Sequence, residues 1–229
     1  MLFRSDPSNR WLARGARVRL SAEMIRDQAL ATSGLLCEQT GGPSVFPYQP
    51  PGLWQEISYD PNEFTAQAYR QDHGAKLYRR SLYTFWKRTV PPPSMSAFDA
   101  PGREFCVVRR SRTNTPLQAF VLLHDPQFVE AARHLGQRMM KQGGNTIDDR
   151  IVYGFRLVTA RTPNPDELSL LRDAYAIELK RCVNNQEETL KVLQVGESSF
   201  DPQLNKTQLA AFSSVARLIM NLNEAITKG

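Results

Sequence analysis

The densest concentration of chemistry-bearing residues in the chain is Arg109 to Pro116, RRSRTNTP. Arg109, Arg110 and Arg112 stay charged at any biological pH and present planar donor forks that fit phosphate, sulfate or carboxylate groups. Thr113, Asn114 and Thr115 add hydroxyl and amide donors. Pro116 stands where a helix would begin, and the free backbone N–H groups of a helix start attract the same anions. Upstream, Arg79, Arg80, Lys87 and Arg88 lie in an aromatic stretch and join this surface if the two segments pair as strands. Asp99, set among these arginines, is the candidate acid or base. The competing use of the arginines is internal, on the protein's own carboxylates such as Asp99 or on helix C-terminal carbonyls. One exposed ion pair contributes only about 0–1 kcal/mol, whereas a convergent cluster holds an anion more firmly. The sequence leaves both uses open.

Other chemistries lack their residues. His73, His124 and His134 are scattered, and neither HExxH nor HxH occurs, so no metal is expected through them. Cys37, Cys106 and Cys182 stand far apart without a CxxC or CxxCH, which removes the common zinc, thioredoxin-like and attached-haem patterns. All three are expected to be buried as small apolar residues, with one disulfide left open. No GxSxG is present, and spacing gives Ser81, Ser94 and Ser96 no base. Gly41-Gly42-Pro43-Ser44 lacks the lysine and glycine spacing of a phosphate loop and reads as a turn. Asp148-Asp149 and Glu187-Glu188 fall in or beside amphipathic helices and read as solvated, with nothing to mark a glycosidase pair. Trp54, Tyr78, Tyr83, Phe85 and Trp86 could stack on sugars or bases, although aromatics in short strands more often fill a core.

The charge is distributed unevenly. Residues 1–115 hold 16 Lys/Arg against 10 Asp/Glu, and residues 116–229 hold 13 of each, so the net +6 lies wholly in the first half. That is a local anion-attracting patch. A pI of about 9.4 raises nucleic-acid binding, but no recognition motif accompanies it and it ranks last. The longest apolar run, Ala119 to Leu123, is far too short to cross a bilayer. The opening MLFRSDPSNRW lacks the apolar core of a secretion signal. Leu2-Phe3-Arg4-Ser5 read like translated adapter DNA, so the chain is expected to be a fragment of a larger protein.

The elements that must carry these residues are mainly helical. Ser21 caps a first helix with Glu23 in its first turn and Ile25, Ala29 and Leu36 on its apolar face; Gly34 weakens its end. Arg17 to Leu20 is a short strand or an extended lead-in. Gly41 to Gly52 is a loop, tacked down by Phe46, Tyr48 and Trp54. Asp60-Pro61 starts a short helix carrying Phe64 and Tyr69 and ending near Gly74. Leu77–Thr89 and Phe105–Val108 read as an antiparallel strand pair, with a helix the alternative for the first. Thr115, Pro116 and Gln118 form a capping box. Asp125-Pro126, Thr146 with Asp149, and Asn164-Pro165 with Glu167 begin three further helices, and a last one runs from about Thr207 to Ile226. The expected fold is therefore mainly α: a C-terminal helical bundle, a long Pro/Gly-rich loop region and a small antiparallel β pair. It is read as one unit over 1–229, with a basic loop-rich half at 6–115 and the bundle at 116–229.

The same segments carry a family resemblance. GGPSVFPYQPPGLW, LYRRSLYTFWKRTVPPPSMSAFDAPGREFCVVRRSRTNTPLQAFVLL and DPQFVEAARHL closely resemble the planctomycete cytochrome-associated domain of unknown function 1553, from Asp6 to about Lys228. His124 stands where that family usually has asparagine, Phe212 where it has tryptophan, and Asn223 where it has aspartate. The resemblance implies the C-terminal part of a large exported protein, with a second uncharacterised domain and a cytochrome c-like haem domain upstream. It implies no cofactor in this chain, haem belonging to an upstream domain, and it brings no catalytic residue. The first expectation is thus a non-catalytic binding or assembly module. Its arginine surface would hold upstream domains of its own polypeptide, an acidic glycan or another protein. The alternative is part of an enzyme, a hydrolase or haem-linked oxidoreductase acting on polysaccharide, with Asp99 as acid or base.

Overall fold

Most of the longer helices begin at a residue whose side chain accepts a free backbone N–H. The computed structural model describes residues 6–12, 15, 17–57 and 68–228. A two-residue strand, β1 (Val18–Arg19), leads into α1 (Ala22–Ser33), which Ser21 caps and Gly34 ends in the left-handed region. Short helices α2 (Leu53–Glu56) and α3 (Pro93–Ala97) interrupt the loop-rich half. The bundle follows as α4 (Pro116–His124), α5 (Pro126–Gln142), α6 (Ile147–Thr159), α7 (Pro165–Asn184), α8 (Gln186–Leu193), α9 (Lys206–Met220) and α10 (Asn223–Ile226). Asp125 accepts the Gln127 N–H at the start of α5. Reciprocal capping boxes form at Thr146/Asp149 and Asn164/Glu167, as their spacing requires.

α5 and α9 are the central pair, with α1, α6 and α7 packed around them. Phe128, Ala132, Leu135 and Met139 of α5 face Phe212, Val215 and Ile219 of α9, and Ile151 and Phe155 of α6 close the same core. The helices approach closely at Gly136, where a Cβ would lie 3.0 Å from the Ser213 nitrogen. The Tyr175 and Phe212 rings sit 4.5 Å apart. A small satellite cluster (Cys182, Leu193, Leu209, Ala210) lies beneath α8, and another (Leu30, Leu77, Tyr78) ties the loop-rich half to α1.

The fold class is as expected, but the β pair is made elsewhere. Its strands are β1 and β2 (Thr227–Lys228), antiparallel, with Val18 opposite Lys228 and Arg19 opposite Thr227. Leu77–Thr89 is instead two 3-10 turns, Gly74–Tyr78 and Ser81–Tyr83, with isolated bridges. Its carbonyls are taken by a buried arginine: Arg26 of α1 donates to Leu77 O and Arg79 O, each at 2.7 Å, and to Gln127 Oε1 at 2.7 Å. Leu77, Tyr78 and Arg79 are buried in succession, which the alternating faces of a half-buried strand do not permit. Phe105–Val108 is irregular and exposed and pairs with nothing among the described residues.

Smaller corrections follow from local chemistry. Thr115 precedes α4 but its side chain makes no capping bond, and the Gln118 side chain that would complete the box is turned to Thr113 and Arg19. The last helix breaks after Met220 and resumes at Asn223. α8 was not foreseen. Leu36 lies past the end of α1 and packs on the Leu30–Leu77 cluster. Only Cys182 is buried; Cys37 is half-buried, Cys106 is exposed, and all three are free thiols. The loop aromatics hold as expected, with Phe46 stacked on Phe85 at 4.7 Å and Trp54 buried. The helix expected from Asp60 falls largely on residues 60–67, outside the described residues, as does Leu2 to Ser5.

Candidate functional site

Four parts of the chain meet at one hollow. α3 ends at Phe98, and Asp99 then takes a left-handed conformation (φ 58°) that reverses the chain. The Asp99 carboxylate accepts the Thr113 N–H at 2.7 Å and the Thr113 hydroxyl at 2.9 Å. This closes the base of an exposed loop, residues 100–112. Gln118, buried on α4, donates to the Thr113 hydroxyl at 3.1 Å and accepts from the Arg19 guanidinium. Arg19 also donates to Asn223 Oδ1 on α10 at 3.2 Å. Between these groups lies a hollow of about 210 Å³ lined by Arg19, Asp99, Arg109, Arg110, Arg112 and Gln118.

The balance of charge there is positive. Arg110 is paired with Glu23 of α1 at 2.8 Å. Burial pushes the Glu23 carboxyl up, but hydrogen bonds from Arg110, its own backbone and Ser21 outweigh it and leave the pKa below its usual value. Burial pulls the Arg19 guanidinium below its ordinary range, and the Asp99 charge partly opposes that. Arg109 and Arg112 have no carboxylate partner among the described residues. Two permanently charged residues therefore line the hollow without a carboxylate paired to either among the described residues.

The remaining expected site residues lie elsewhere. Arg79 is 3% exposed and donates to the carbonyls of Pro43 at 3.1 Å, Gln39 at 3.2 Å and Gly41, with its guanidinium 3.9 Å above the Tyr83 ring. It is a strut for the loop at Gly41-Gly42, away from the hollow. Arg80 reaches Asp27 at 3.6 Å. Arg88 is exposed in the turn between Lys87 and Val90. Asn114 and Thr115 are exposed but do not line the hollow. Of the stacking candidates, Trp54 and Tyr78 are buried and Tyr83 is covered by Arg79. Trp86 lies 4.7 Å beneath the Arg103 guanidinium. Arg19, Gln118 and Glu23 were missed; the one available signal was the alternation Arg17 to Leu20, which sets Arg19 and Val18 on opposite faces.

A second polar cluster is wholly unforeseen. Glu130 on α5 is fully buried and accepts from Tyr78 OH at 2.9 Å and from the Ser198 N–H at 2.7 Å, as well as from the Ser198 hydroxyl. His134 Nε2 lies 2.7 Å from that hydroxyl, and Arg133 donates to Ser198 O at 2.6 Å. A serine, a histidine and a carboxylate are thus adjacent, but in the wrong order for nucleophilic catalysis. The carboxylate holds the serine, while His134 Nδ1 faces Gln137 at 3.3 Å and has no acid to orient it among the described residues. The cluster pins the loop after α8 onto α5. No group of three or more metal-ligating side chains occurs among the described residues, and no helix among them is long and apolar enough to cross a membrane.

No curated protein and no solved structure matches the chain. The family profile described as PSD1, protein of unknown function (DUF1553), matches residues 1–175. That span includes β1, α1, the loop of residues 100–112 and α4, hence every residue of the hollow except Asn223, which braces it from α10. The match stops within α7, short of the Lys228 limit of the sequence resemblance. On this evidence the chain belongs to the domain of unknown function 1553 family.

Proposed function

We propose that this chain is a non-catalytic binding or assembly module that holds an anionic group of a partner in the hollow of Arg19, Arg109 and Arg112. The observation that carries this reading is the presence of Arg109 and Arg112 in the lining of one hollow, without a carboxylate partner among the described residues. Upstream domains of the same exported, cytochrome-associated polypeptide are the partners that the family resemblance supports, and an acidic glycan presents the same chemistry. The enzymatic alternative draws no comparable support. Asp99, its candidate acid or base, accepts two donors from Thr113 and is committed to holding the loop.

The test is titration calorimetry with inorganic phosphate and with oligogalacturonate, a carboxylate glycan, on the chain and on the Arg109→Ala/Arg112→Ala variant. Loss of two charge-assisted contacts is expected to weaken binding by roughly tenfold to a hundredfold. Thermal unfolding should be unchanged, because both side chains are exposed. Binding by the variant equal to that of the parent chain would sink the reading.

A further inference from the structure

The arginine hollow is one end of a longer cleft. A second, more open groove of about 470 Å³ runs beside it and shares Asp99, Arg110 and Ser111 with it. Its floor and lip differ in character, being formed by Ala100, Pro101, Phe105 and Val107, with Arg103, Glu104 and Arg110 among the flanking groups. Phe105 is 81% exposed and Val107 60% exposed. Large apolar side chains left in water beside a cationic hollow are free to cover a ligand without first leaving a core. The Asp99–Thr113 bonds hold the two ends of this loop together, so the cationic and apolar parts belong to one closed loop.

We propose that the cleft takes a phosphate or sulfate monoester: an oxyanion in the hollow of Arg19, Arg109 and Arg112, with an apolar group on its ester oxygen lying along Phe105 and Val107. This rests on the hollow's being an anion site, and adds to it the ligand's apolar half. Arginine forks favour a compact oxyanion with several acceptor oxygens in fixed directions. The shared lining at Arg110 and Ser111 places the bridge between the two halves, where an ester oxygen would pass. A plain inorganic anion would fill only the inner end. The ester can be a free metabolite or the headgroup of a lipid, and the two sources are separable.

Calorimetry at fixed ionic strength would compare inorganic phosphate with phenyl phosphate. Phenyl phosphate is expected to bind roughly tenfold tighter, a gain that about 60 Å² of apolar surface withdrawn from water suffices to give. Phe105→Ser/Val107→Ser, on an exposed loop, should abolish that difference while inorganic phosphate still binds. Arg109→Ala/Arg112→Ala should weaken both ligands. Co-sedimentation with phosphatidylcholine vesicles, with and without phosphatidic acid, identifies the source. Sedimentation with vesicles holding phosphatidic acid, and not with phosphatidylcholine alone, assigns a lipid monoester; phenyl phosphate binding without sedimentation assigns a soluble one. Equal affinity for phosphate and phenyl phosphate overturns the inference and leaves the anion site standing. Sedimentation with phosphatidylcholine alone to the same extent also overturns it. No binding in any arm overturns both this inference and the anion site.

Discussion

Asp99 and Thr113 are joined twice, through the threonine N–H at 2.7 Å and its hydroxyl at 2.9 Å, although thirteen residues of mostly exposed chain separate them. The pair sets the mouth of the arginine hollow. It also explains why a carboxylate can stand among arginines and still leave some of them unpaired: its acceptor lone pairs are directed at Thr113. The left-handed backbone at Asp99 suits aspartate or asparagine better than most residues.

Replacing Asp99 by asparagine keeps an acceptor for Thr113 and removes the negative charge from the hollow. Inorganic phosphate should then bind roughly three- to tenfold tighter at low ionic strength, with the gain fading as salt is added. Asp99→Ala should instead loosen the loop, with faster amide exchange at Thr113. Calorimetry and hydrogen exchange read the two effects separately. Unchanged phosphate affinity in Asp99→Asn would show that the carboxylate does not feel the anion.

Arg79 belongs to stability. Its loss strands the Gln39, Gly41 and Pro43 carbonyls and the face of Tyr83. Arg79→Ala is expected to cost about 3 kcal/mol in urea unfolding, given hydrogen bonds to a charged donor. Arg79→Lys should recover less than half of it, since an ammonium cannot reach three carbonyls in one plane. Phosphate binding in Arg79→Lys should be unaltered; a parallel loss would return Arg79 to the site.

The Glu130–Ser198–His134 cluster makes stability depend on pH. Burial, reinforced by the Arg133 charge, pulls His134 down to about 4, against an ordinary value of roughly 6.5. The folded protein therefore favours the neutral ring, while the unfolded chain takes up a proton first as pH falls. The contribution is present in full above about pH 6.5 and is lost progressively toward pH 4, amounting to roughly 1–2 kcal/mol after discounting for the partly exposed ring. His134→Gln should flatten that part of the profile. Gly196→Ala should flatten it by another route, because a Cβ there would lie 2.3 Å from Glu130 Cδ at a φ of 88° and would drive the loop carrying Ser198 off α5. Urea unfolding at pH 4.5, 5.5 and 7 measures both variants, and parallel profiles for parent and His134→Gln would refute the assignment.

The bundle was legible because its signals are local. A capping side chain and the N–H it accepts lie within three residues, so Asp125, Thr146 and Asn164 announced their helices. The aromatic segment at 77–89 misled for the opposite reason. Its β-favouring residues were real, but Arg26, fifty residues away, claimed the carbonyls a strand would have used.

What the sequence determined by itself was the supply of charge: arginines gathered at 109–112, beside a helix start, in a half that carries all the excess. Which of them stayed available was a matter of distant partners. Arg79 was spent on loop carbonyls, Arg80 on Asp27 and Arg110 on Glu23, while Arg19 was recruited from the strand that pairs the two ends of the chain. A guanidinium reads the same in sequence whether its acceptor is a carbonyl, a carboxylate or a ligand. Only the packing of α1, α4 and α10 around it selects among them.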